Sequence, residues 1–198
     1  MDSRISEIVG FLCAEGSHNL SFSSYYEKTK NGFRWRQNKR QERITFYNKD
    51  TNLMRHFQKV LSQAYNHPFR ITKDNRINIA KKTIVRNLLS YTDFGYFKWK
   101  VPQQIKDSSR PVKIAFIRGY FDGDGTAKSS IRFFSVNKPS LKEVSNLLKY
   151  LGYKHTFLGP YFKHGKLPSY VIQVSRSQKK MFLKQVKPLS KKPGPTRG

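Results

Sequence analysis

The sequence predicts an α+β fold with an internal pseudo-two-fold repeat, in which two αββαββα halves meet at a seam of two helices. Three observations predict it. A pattern of apolar and small residues that ends in an acid and a glycine occurs twice, at 8–16 and at 117–125. Each copy is followed by a strand pattern and then by a capped helix. The strands alternate apolar and polar residues, so we expect two antiparallel four-stranded sheets, one in each half.

The seam is predicted from small residues that recur four positions apart in both copies of the pattern. They are Gly10 and Ala14 in the first copy and Gly119 and Gly123 in the second. Residues four apart share one face of a helix. Small side chains on that face allow two helices to approach closely, as is best documented for membrane helices. The two pattern helices are therefore expected to pack side by side.

Both copies of the pattern end in an acid followed by glycine, at Glu15 and at Asp124. Glycine commonly follows the end of a helix. An acid at a helix C-terminus is unfavourable next to the helix dipole, so another reason is needed for its presence there. Two paired helices would bring both carboxylates to the same end of the seam.

The first half is predicted element by element from periodicity and caps. A helix begins near Asp2 or Ser3 and ends at Gly16. Leu20 and Phe22 form the apolar side of a half-buried strand. The remaining elements are a basic hairpin tip at 28–32, a strand at 33–47, a helix at 50–65, short strands at 69–72 and 76–79, and a helix at 84–89.

The second half repeats this order after a connection rich in turn residues, in which Phe97 and Trp99 are expected to pack against a core. Pro111 suits the first turn of a helix. Ser140 begins a capping-box pattern, and Ser175 is placed to cap the last helix. The predicted organisation is a first half at 1–93, a linker at 94–110, a second half at 111–187 and a flexible basic tail at 188–198.

The charge of the chain indicates an anionic partner. Lys and Arg number 39 against 12 Asp and Glu, a formal net charge of +27. The basic residues lie among aromatic residues and strands rather than on one amphipathic helix, which favours nucleic acid over a membrane surface. A basic ribosomal or chromatin-like protein is the alternative. A single cysteine, no apolar run long enough to span a bilayer and no signal-peptide pattern predict an intracellular protein, cytoplasmic in a prokaryote, with an organelle left open.

The doubled pattern resembles the LAGLIDADG homing endonucleases, single-chain type with two motifs, and is similar to archaeal intron-encoded members. By position, the acids that hold divalent metal in that family correspond to Glu15 and Asp124. The resemblance also implies backbone carbonyl ligands at Ala14 and Gly123, with Mg²⁺ as the metal and Mn²⁺ or Ca²⁺ able to substitute for binding. The first copy departs from the family pattern at Cys13, where many members have Asp.

The family resemblance further implies that the two sheets form a DNA-binding saddle. It also implies a monomer that makes double-strand breaks with 3′ overhangs in a long double-stranded DNA target. The ends of the chain lack splicing-junction residues, so an intron-encoded rather than intein-encoded form is expected. Polar and basic residues around the scissile phosphates are expected at Asn48, Lys49 and Lys128. Intron RNA stays open as a second partner.

The strands offer the surface expected to contact DNA. Ile44 and Phe46 face the core, while the alternate positions carry basic and amide side chains that can read base edges in the major groove. An ordinary solvated sheet face is the alternative. The predicted DNA-binding residues are Ser21, Ser23, Lys39, Gln41, Arg43, Thr45, Arg70, Thr72, Arg76, Asn78, Ser130, Arg132, Phe134 and Gln173.

Three other interpretations compete with this one. Asp122 begins an Asp-x-Asp-Gly-Thr pattern like that of haloacid dehalogenase-like phosphatases, but Arg118 and Gly119 suit the required buried strand poorly. A calcium loop starting at Asp122 fails because Ala127 and Phe133 occupy its sixth and twelfth positions. A non-cleaving relative, either an RNA maturase or a DNA-binding regulator, is the remaining alternative, against which the two retained acids argue.

Overall fold

The two helices that carry the repeated pattern form the centre of the computed structural model, which describes residues 1–189. The predicted basic tail lies outside these residues from position 190 onward. In chain order the elements are α1 (Ser3–Glu15), β1 (Gly16–Thr29), β2 (Gly32–Tyr47), α2 (Thr51–Tyr65), β3 (Arg76–Ile79), α3 (Lys82–Leu89), α4 (Gln103–Lys106), α5 (Arg110–Asp124), β4 (Gly125–Thr126), β5 (Arg132–Ser135), α6 (Lys138–Tyr150), β6 (His155–Tyr161), β7 (Ser169–Val174), a short 3₁₀ helix (Arg176–Gln178) and α7 (Lys179–Val186).

Local sequence signals explain where the main helices begin. The Asp2 carboxylate accepts the Arg4 amide at 2.8 Å, which caps α1. The Asp50 carboxylate caps α2 by accepting the amides of Asn52 and Leu53. Proline lies in the first turn of α5. These three predicted helix starts are confirmed. The aspartate oxygens accept first-turn amides that have no partner within the helix, and proline has no amide hydrogen that would need one. None of the helices formed by residues 1–189 is both long and apolar enough to cross a membrane.

Within the described part of the chain, the first sheet has three strands in the order β1-β2-β3 and the second has four in the order β4-β5-β7-β6. The predicted strand at 69–72 is wrong. The Thr72 hydroxyl bonds to the Asp74 carboxylate and the Arg76 carbonyl, and the Phe69 carbonyl accepts from Gln58 at 2.6 Å. Side chains thus satisfy this backbone locally, in competition with a strand ladder.

The β1–β2 hairpin projects beyond the helices, which overturns the expected burial of β1. Ile44 and Phe46, near the base of β2, are fully buried as predicted, but Leu20 is 50% and Phe22 64% exposed. The strand register shifts beyond Ser23, where Asn38 adopts a left-handed backbone with φ of 46°. This is the conformation expected of a β-bulge.

Two predicted caps in the second half are wrong. Helix α6 begins at Lys138 and is capped by Asn137 rather than Ser140. The Ser140 hydroxyl instead donates to the carbonyl of Trp99, which explains its place inside the helix. The hydroxyl of Ser175 pairs with that of Ser177 at 2.9 Å and precedes a 3₁₀ turn.

The connection between the halves is partly structured. Trp99 is buried as predicted, but Phe97 is 61% exposed, so that part of the prediction is wrong. The connection also contains α4, whose Ile105 is buried. The Glu143 carboxylate accepts the Val101 amide at 2.8 Å and so ties the connection to α6.

The aromatic core repeats in the two halves and fixes each pattern helix on its sheet. Phe46 of β2 packs against Phe11 of α1, with ring centroids 5.8 Å apart. At the corresponding place in the second half, Phe133 of β5 packs against Tyr120 of α5, with ring centroids 6.3 Å apart. The repeat predicted from sequence is therefore present in the packing.

Candidate metal and DNA-binding site

The seam between α1 and α5 depends on two glycines. A Cβ atom on Gly10 would lie 2.3 Å from the carbonyl oxygen of Phe116, and one on Gly119 would lie 2.1 Å from that of Glu7. Glu7 and Phe116 each immediately precede one copy of the pattern and are equivalent in the repeat, so the contacts are reciprocal. This is the isologous geometry of a two-fold interface, here formed within one chain.

The helices also converge at the end that carries the acids. A Cβ on Gly123 would lie 2.4 Å from the Cβ of Ala14 and 3.3 Å from the Cγ of Glu15. Gly16 and Gly125 follow the two helices with extended backbones, at φ of −86° and −101°. Neither position needs glycine for a left-handed turn. Glycine is required because a side chain at either position would collide with the preceding helical turn. Each strand can therefore begin directly after its acid.

Glu15 and Asp124 line one cavity of about 460 Å³ at this end of the seam. Tyr47, Tyr96 and Ser135 line the same cavity. Glu15 also borders a second cavity of about 810 Å³ that runs along the polar face of the first sheet. The two carboxylates are therefore together, and they open toward the surface predicted to contact DNA.

The donor set suits a hard divalent cation. Carboxylate and carbonyl oxygens are the ligands that Mg²⁺ prefers, and Mg²⁺ usually keeps waters or substrate phosphates as further ligands. Across residues 1–189 there is no group of three or more His, Cys, Asp or Glu side chains that could hold a metal. Glu15 and Asp124 would thus supply only part of the ligand shell, with Ala14 and Gly123 contributing their carbonyls and substrate completing it.

A buried phenol lies beneath the candidate metal ligands. Tyr120 is fully buried, and its hydroxyl donates to the carbonyl of Phe134 at 2.9 Å. Burial raises the pKa of Tyr120 well above its usual value, and the nearby Asp124 carboxylate raises it further. Tyr120 is therefore a neutral support of the site at any physiological pH.

Asp122, the other acid of the second pattern, has a structural role. It lies within α5 and is fully buried, and its carboxylate accepts the Leu189 amide at 3.2 Å. It thereby holds the chain that leaves α7 against the seam. A phosphatase nucleophile would lie at the end of a parallel strand, and a calcium loop would not be helical here. The structure thus contradicts both competing interpretations of this motif.

The predicted phosphate-contacting residues are not drawn into the cavity that Glu15 and Asp124 line. Asn48 is buried, and its side-chain oxygen accepts the Asp50 amide at 2.9 Å. Lys49 and Lys128 are exposed, and the Lys128 carbonyl accepts from the Lys179 ammonium at 2.5 Å. Tyr96, in the connection between the halves, lines the cavity instead and is 80% exposed. No periodic pattern in the sequence could indicate this position.

The strand register brings most of the predicted DNA-binding residues of the first half onto one face. Directly opposed residues in an antiparallel pair point to the same side. The opposed pairs are Ser21 with Gln41, Ser23 with Lys39, Asn19 with Arg43, Thr45 with Asn78, and Tyr47 with Arg76. Asn19 and Tyr47 were missed by sequence reasoning, although strand alternation would have found them.

Three of the predicted residues lie elsewhere. Arg70 and Thr72 precede β3, in the segment that is not a strand. Ser130 is buried, and its hydroxyl accepts from the Arg132 guanidinium at 3.1 Å. That guanidinium also donates to Gln173 at 2.8 Å, across paired strands. Ser130 therefore orients Arg132 rather than presenting its own side chain.

Phe134 lies on the same side of the second sheet as Arg132 and Gln173. It stands two residues beyond Arg132 on β5 and is only partly exposed. Thr156, opposite Gln173, and Thr126, opposite Arg132, extend this face and were missed. The second face is thus smaller and less charged than the first.

Sequence comparison links this architecture to a known family. Residues 111–187 match the family model of the LAGLIDADG-like domain. Over 181 residues the chain is 25% identical to a DNA polymerase of Methanocaldococcus jannaschii, a match that covers 85% of this chain and 10% of the polymerase. The chain thus spans about a tenth of the length of this curated relative.

Solved structures share the whole fold. A variant of the homing endonuclease I-DmoI, in complex with its nicked target DNA and Mn, is 21% identical, with a TM-score of 0.66 and coverage of 93% of this chain and 95% of that chain. The LAGLIDADG homing endonuclease I-LtrWI bound to target DNA is 8% identical, with a TM-score of 0.57 and coverage of 94% and 85%. Other I-DmoI complexes with DNA contain Mg or Ca. The chain has the LAGLIDADG homing endonuclease fold, which confirms the resemblance and the fold class predicted from sequence.

Proposed function

We propose that the protein is a site-specific homing endonuclease that makes metal-dependent double-strand breaks in a long, asymmetric DNA target. One observation carries the proposal: Glu15 and Asp124, from two related helices, line a single cavity beside the polar sheet face. Each strand of a duplex needs its own hydrolytic site. One acid from each half meets that need with the two-fold logic of the seam.

Glu15 and Asp124 would hold the metal with the carbonyls of Ala14 and Gly123. Mg²⁺ bound there would orient water and offset charge on the scissile phosphate, and Mn²⁺ or Ca²⁺ could replace it for binding. The chain's own part is to fix the two carboxylates on a rigid seam, which is where preorganised sites are most precise. We also propose that Lys49 and Lys128 contact phosphates near the cut, with Asn48 shaping the start of α2 beside them.

Unequal halves support an asymmetric target and a monomer. Strands β1 and β2 have 14 and 16 residues, whereas β4 and β5 have two and four. The first half can therefore follow more of the duplex than the second. A net charge of +27 supports a polyanionic partner.

We further propose that the protein is encoded by a mobile element that acts inside a prokaryotic cell. The match to one tenth of a DNA polymerase is what an element translated in frame within a host protein would give, whereas the intron-encoded form expected from the sequence would not give it. The single cysteine is in keeping with an intracellular setting. A non-cleaving maturase or regulator is the second candidate, because the same fold and charge would also serve binding alone.

The decisive experiment is cleavage of a randomised duplex library with Mg²⁺, comparing the wild type with Asp124→Asn and with Glu15→Gln. We expect specific double-strand cuts from the wild type alone. Loss of a direct metal ligand should cost more than about a hundredfold, since loss of an outer-shell partner already costs about 10–100-fold. Asp107→Asn is the matched control, because it removes an exposed carboxylate at the residue that caps the C-terminus of the short helix α4 in the connection.

Binding separates the two candidate functions. Both acid variants should retain affinity for the selected target in a gel-shift assay. No cutting by any form, together with tight and salt-sensitive binding, would favour the maturase or regulator. Loss of specific binding in both acid variants with native circular dichroism would contradict the metal-ligand assignment.

A further inference from the structure

The back of the β1–β2 hairpin carries a row of exposed apolar side chains, of which four are aromatic; we call it the aromatic row. Leu20, Phe22, Tyr26, Phe33 and Trp35 are between 50% and 73% exposed. The rings of Tyr26 and Trp35 pack together, with centroids 4.8 Å apart. A contiguous exposed apolar patch of this kind marks a contact surface, unlike a single exposed apolar residue.

These residues lie on the opposite side of the hairpin from the face predicted to contact duplex DNA. Tyr26 is paired with Trp35 and Phe22 with Arg40, whereas the duplex-facing residues occupy the alternate positions, such as Ser21 opposite Gln41. A β-bulge lies between Ser23 and Tyr25 and places its extra residue on β2. The alternation of β1 therefore continues across the bulge, and the aromatic residues on both sides of it remain on the back of the hairpin. A duplex on the front face could not reach the aromatic row.

The aromatic row is interleaved with cations. Arg40 lies directly opposite Phe22, and Lys28 directly opposite Phe33, so a cation flanks the aromatic pair at each end. Glu42 is the one acid among the back-face positions of the hairpin within residues 18–42, and it is bonded to Arg40 and His18. Rings that accept bases, beside cations that accept phosphates, are the combination by which proteins bind single-stranded nucleic acid.

The net charge of the chain argues against self-association through this surface. A second copy of the chain would bring two molecules of +27 together through their basic hairpins. Such self-repulsion opposes association. Helices cover only the base of this side of the sheet, at Ile44 and Phe46, and leave the aromatic row open.

We propose that the back face of the β1–β2 hairpin binds single-stranded RNA, with bases stacked on Phe22, Tyr26 and Trp35 and phosphates held by Lys28 and Arg40. RNA is the partner because its loops and bulges present unpaired bases, which a duplex does not. The surface is separate from the proposed cleavage site, so its test does not depend on any DNA cutting.

Trp35 reports directly on this surface. The chain has two tryptophans, of which Trp99 is 2% and Trp35 50% exposed. Acrylamide should therefore quench Trp35 selectively. We expect an unstructured RNA oligonucleotide to protect Trp35 from acrylamide, and the cognate duplex to leave its quenching unchanged. Unchanged quenching at saturating RNA would overturn the proposal, as would equal protection by the duplex or by a DNA strand of the same sequence.

A pair of matched variants provides the second test. Phe22 and Tyr150 are both 64% exposed, but Tyr150 lies on α6, far from the hairpin in the fold. Phe22→Ala should weaken RNA binding by about five- to a hundredfold, the range for loss of one stacking ring. Tyr150→Ala should leave it unchanged, and duplex binding should be unchanged in both. Equal RNA affinity of Phe22→Ala and the wild type would contradict the proposal. If Phe22→Ala also loses duplex binding, protection of Trp35 in the wild type decides.

Discussion

Cys13 shows how a single residue can depart from the pattern that the chain resembles without carrying chemistry. It lies in the first pattern helix, where many LAGLIDADG sequences have Asp, and it is buried against the seam. Burial raises the pKa of its thiol well above the usual value, and the Glu143 carboxylate adds to that effect. A protonated, buried thiol is a poor nucleophile and a poor metal ligand. Position 13 therefore contributes to packing, just as Asp122 has the structural role of binding the backbone that follows α7.

This environment predicts a pH dependence of stability. Above about pH 8.5 the unfolded chain ionises Cys13 while the native chain keeps it protonated. The native state then binds more protons than the unfolded state, so the free energy of unfolding falls as pH rises, by about 1.4 kcal/mol per unit. Urea unfolding in reducing buffer at pH 8 and pH 9.5 should show this loss in the wild type.

Cys13→Ala provides the control. It removes the thiol, so its stability should fall less between the two pH values, although it begins lower because of the small cavity. Alkylation by iodoacetamide should be slow in the native protein and fast in urea. Rapid alkylation of the native protein would show that Cys13 is accessible. Equal pH dependence of the free energy of unfolding in the wild type and in Cys13→Ala would show that the thiol ionises in the native protein.

At the scale of elements, the seam is the feature on which both halves depend. Gly119→Ala would place a Cβ 2.1 Å from a backbone oxygen of α1, and Gly10→Ala would do the same to α5 at 2.3 Å. Overpacking of this kind costs about 1–3 kcal/mol, although alanine returns up to about 1 kcal/mol of helix propensity. We expect each variant to unfold at lower urea and to cut DNA more slowly, because the acids move apart.

The two glycines provide their own control, since they are related by the pseudo-two-fold axis. Once one alanine has moved the helices apart, the second alanine collides less. The double variant should therefore lose clearly less free energy of unfolding than the sum of the losses in the two single variants. Additive losses would mean that the glycines act through separate contacts. Unchanged stability in both single variants would mean that the helices do not approach closely.

Elements with their own local signals were predictable, and those that depend on neighbours were not. Helix α2 has a capping Asp50 and an apolar stripe, so its bounds follow from sequence. The failed strand at 69–72 has the same alternation as β3, but Thr72 and Gln58 take its hydrogen bonds. Alternation at Leu20 and Phe22 identified the strand but not its burial, because nothing local indicates whether another element covers that side.

The residues of the candidate site divide in the same way, into those with a local signal in the sequence and those whose position depends on packing. That Glu15 and Asp124 lie at one cavity could be predicted because the pattern occurs twice, and a repeat is visible without any structure. The predicted front-face residues of β2 were found because alternation places them. Tyr96 lies in a connection with no period, and Ser130 was assigned to the surface although it is buried under Arg132. Contacts of that kind depend on the packing of several elements.

At the scale of the whole molecule, the two halves differ in the length of their strands, and we expect them to protect unequal lengths of DNA. The β1–β2 hairpin beyond Ser23 carries four cations, Lys28, Lys30, Arg34 and Arg36. Because Ser23 and Lys39 are directly opposed, replacing residues 24–38 with Asn-Gly would close the hairpin with a two-residue turn. We expect a hydroxyl-radical footprint to shorten at one end only, with the cut sites unchanged, because the seam and its acids are untouched.

Salt dependence measures how many of these cations contact phosphate. Lys28 lies on the back face of the hairpin, so three of these cations, Lys30, Arg34 and Arg36, can contact the duplex. Each released counterion contributes about 0.9 to the slope of log affinity against log salt, so the shortened protein should lose up to about 2–3 from that slope. The matched variant closes the second half's β6–β7 connection with Asn-Gly between Tyr161 and Ser169, which are also opposed. It should shorten the footprint at the other end and change the slope less, since residues 162–168 carry two lysines. Shortening at both ends by either variant would mean that the halves do not read separate parts of the target.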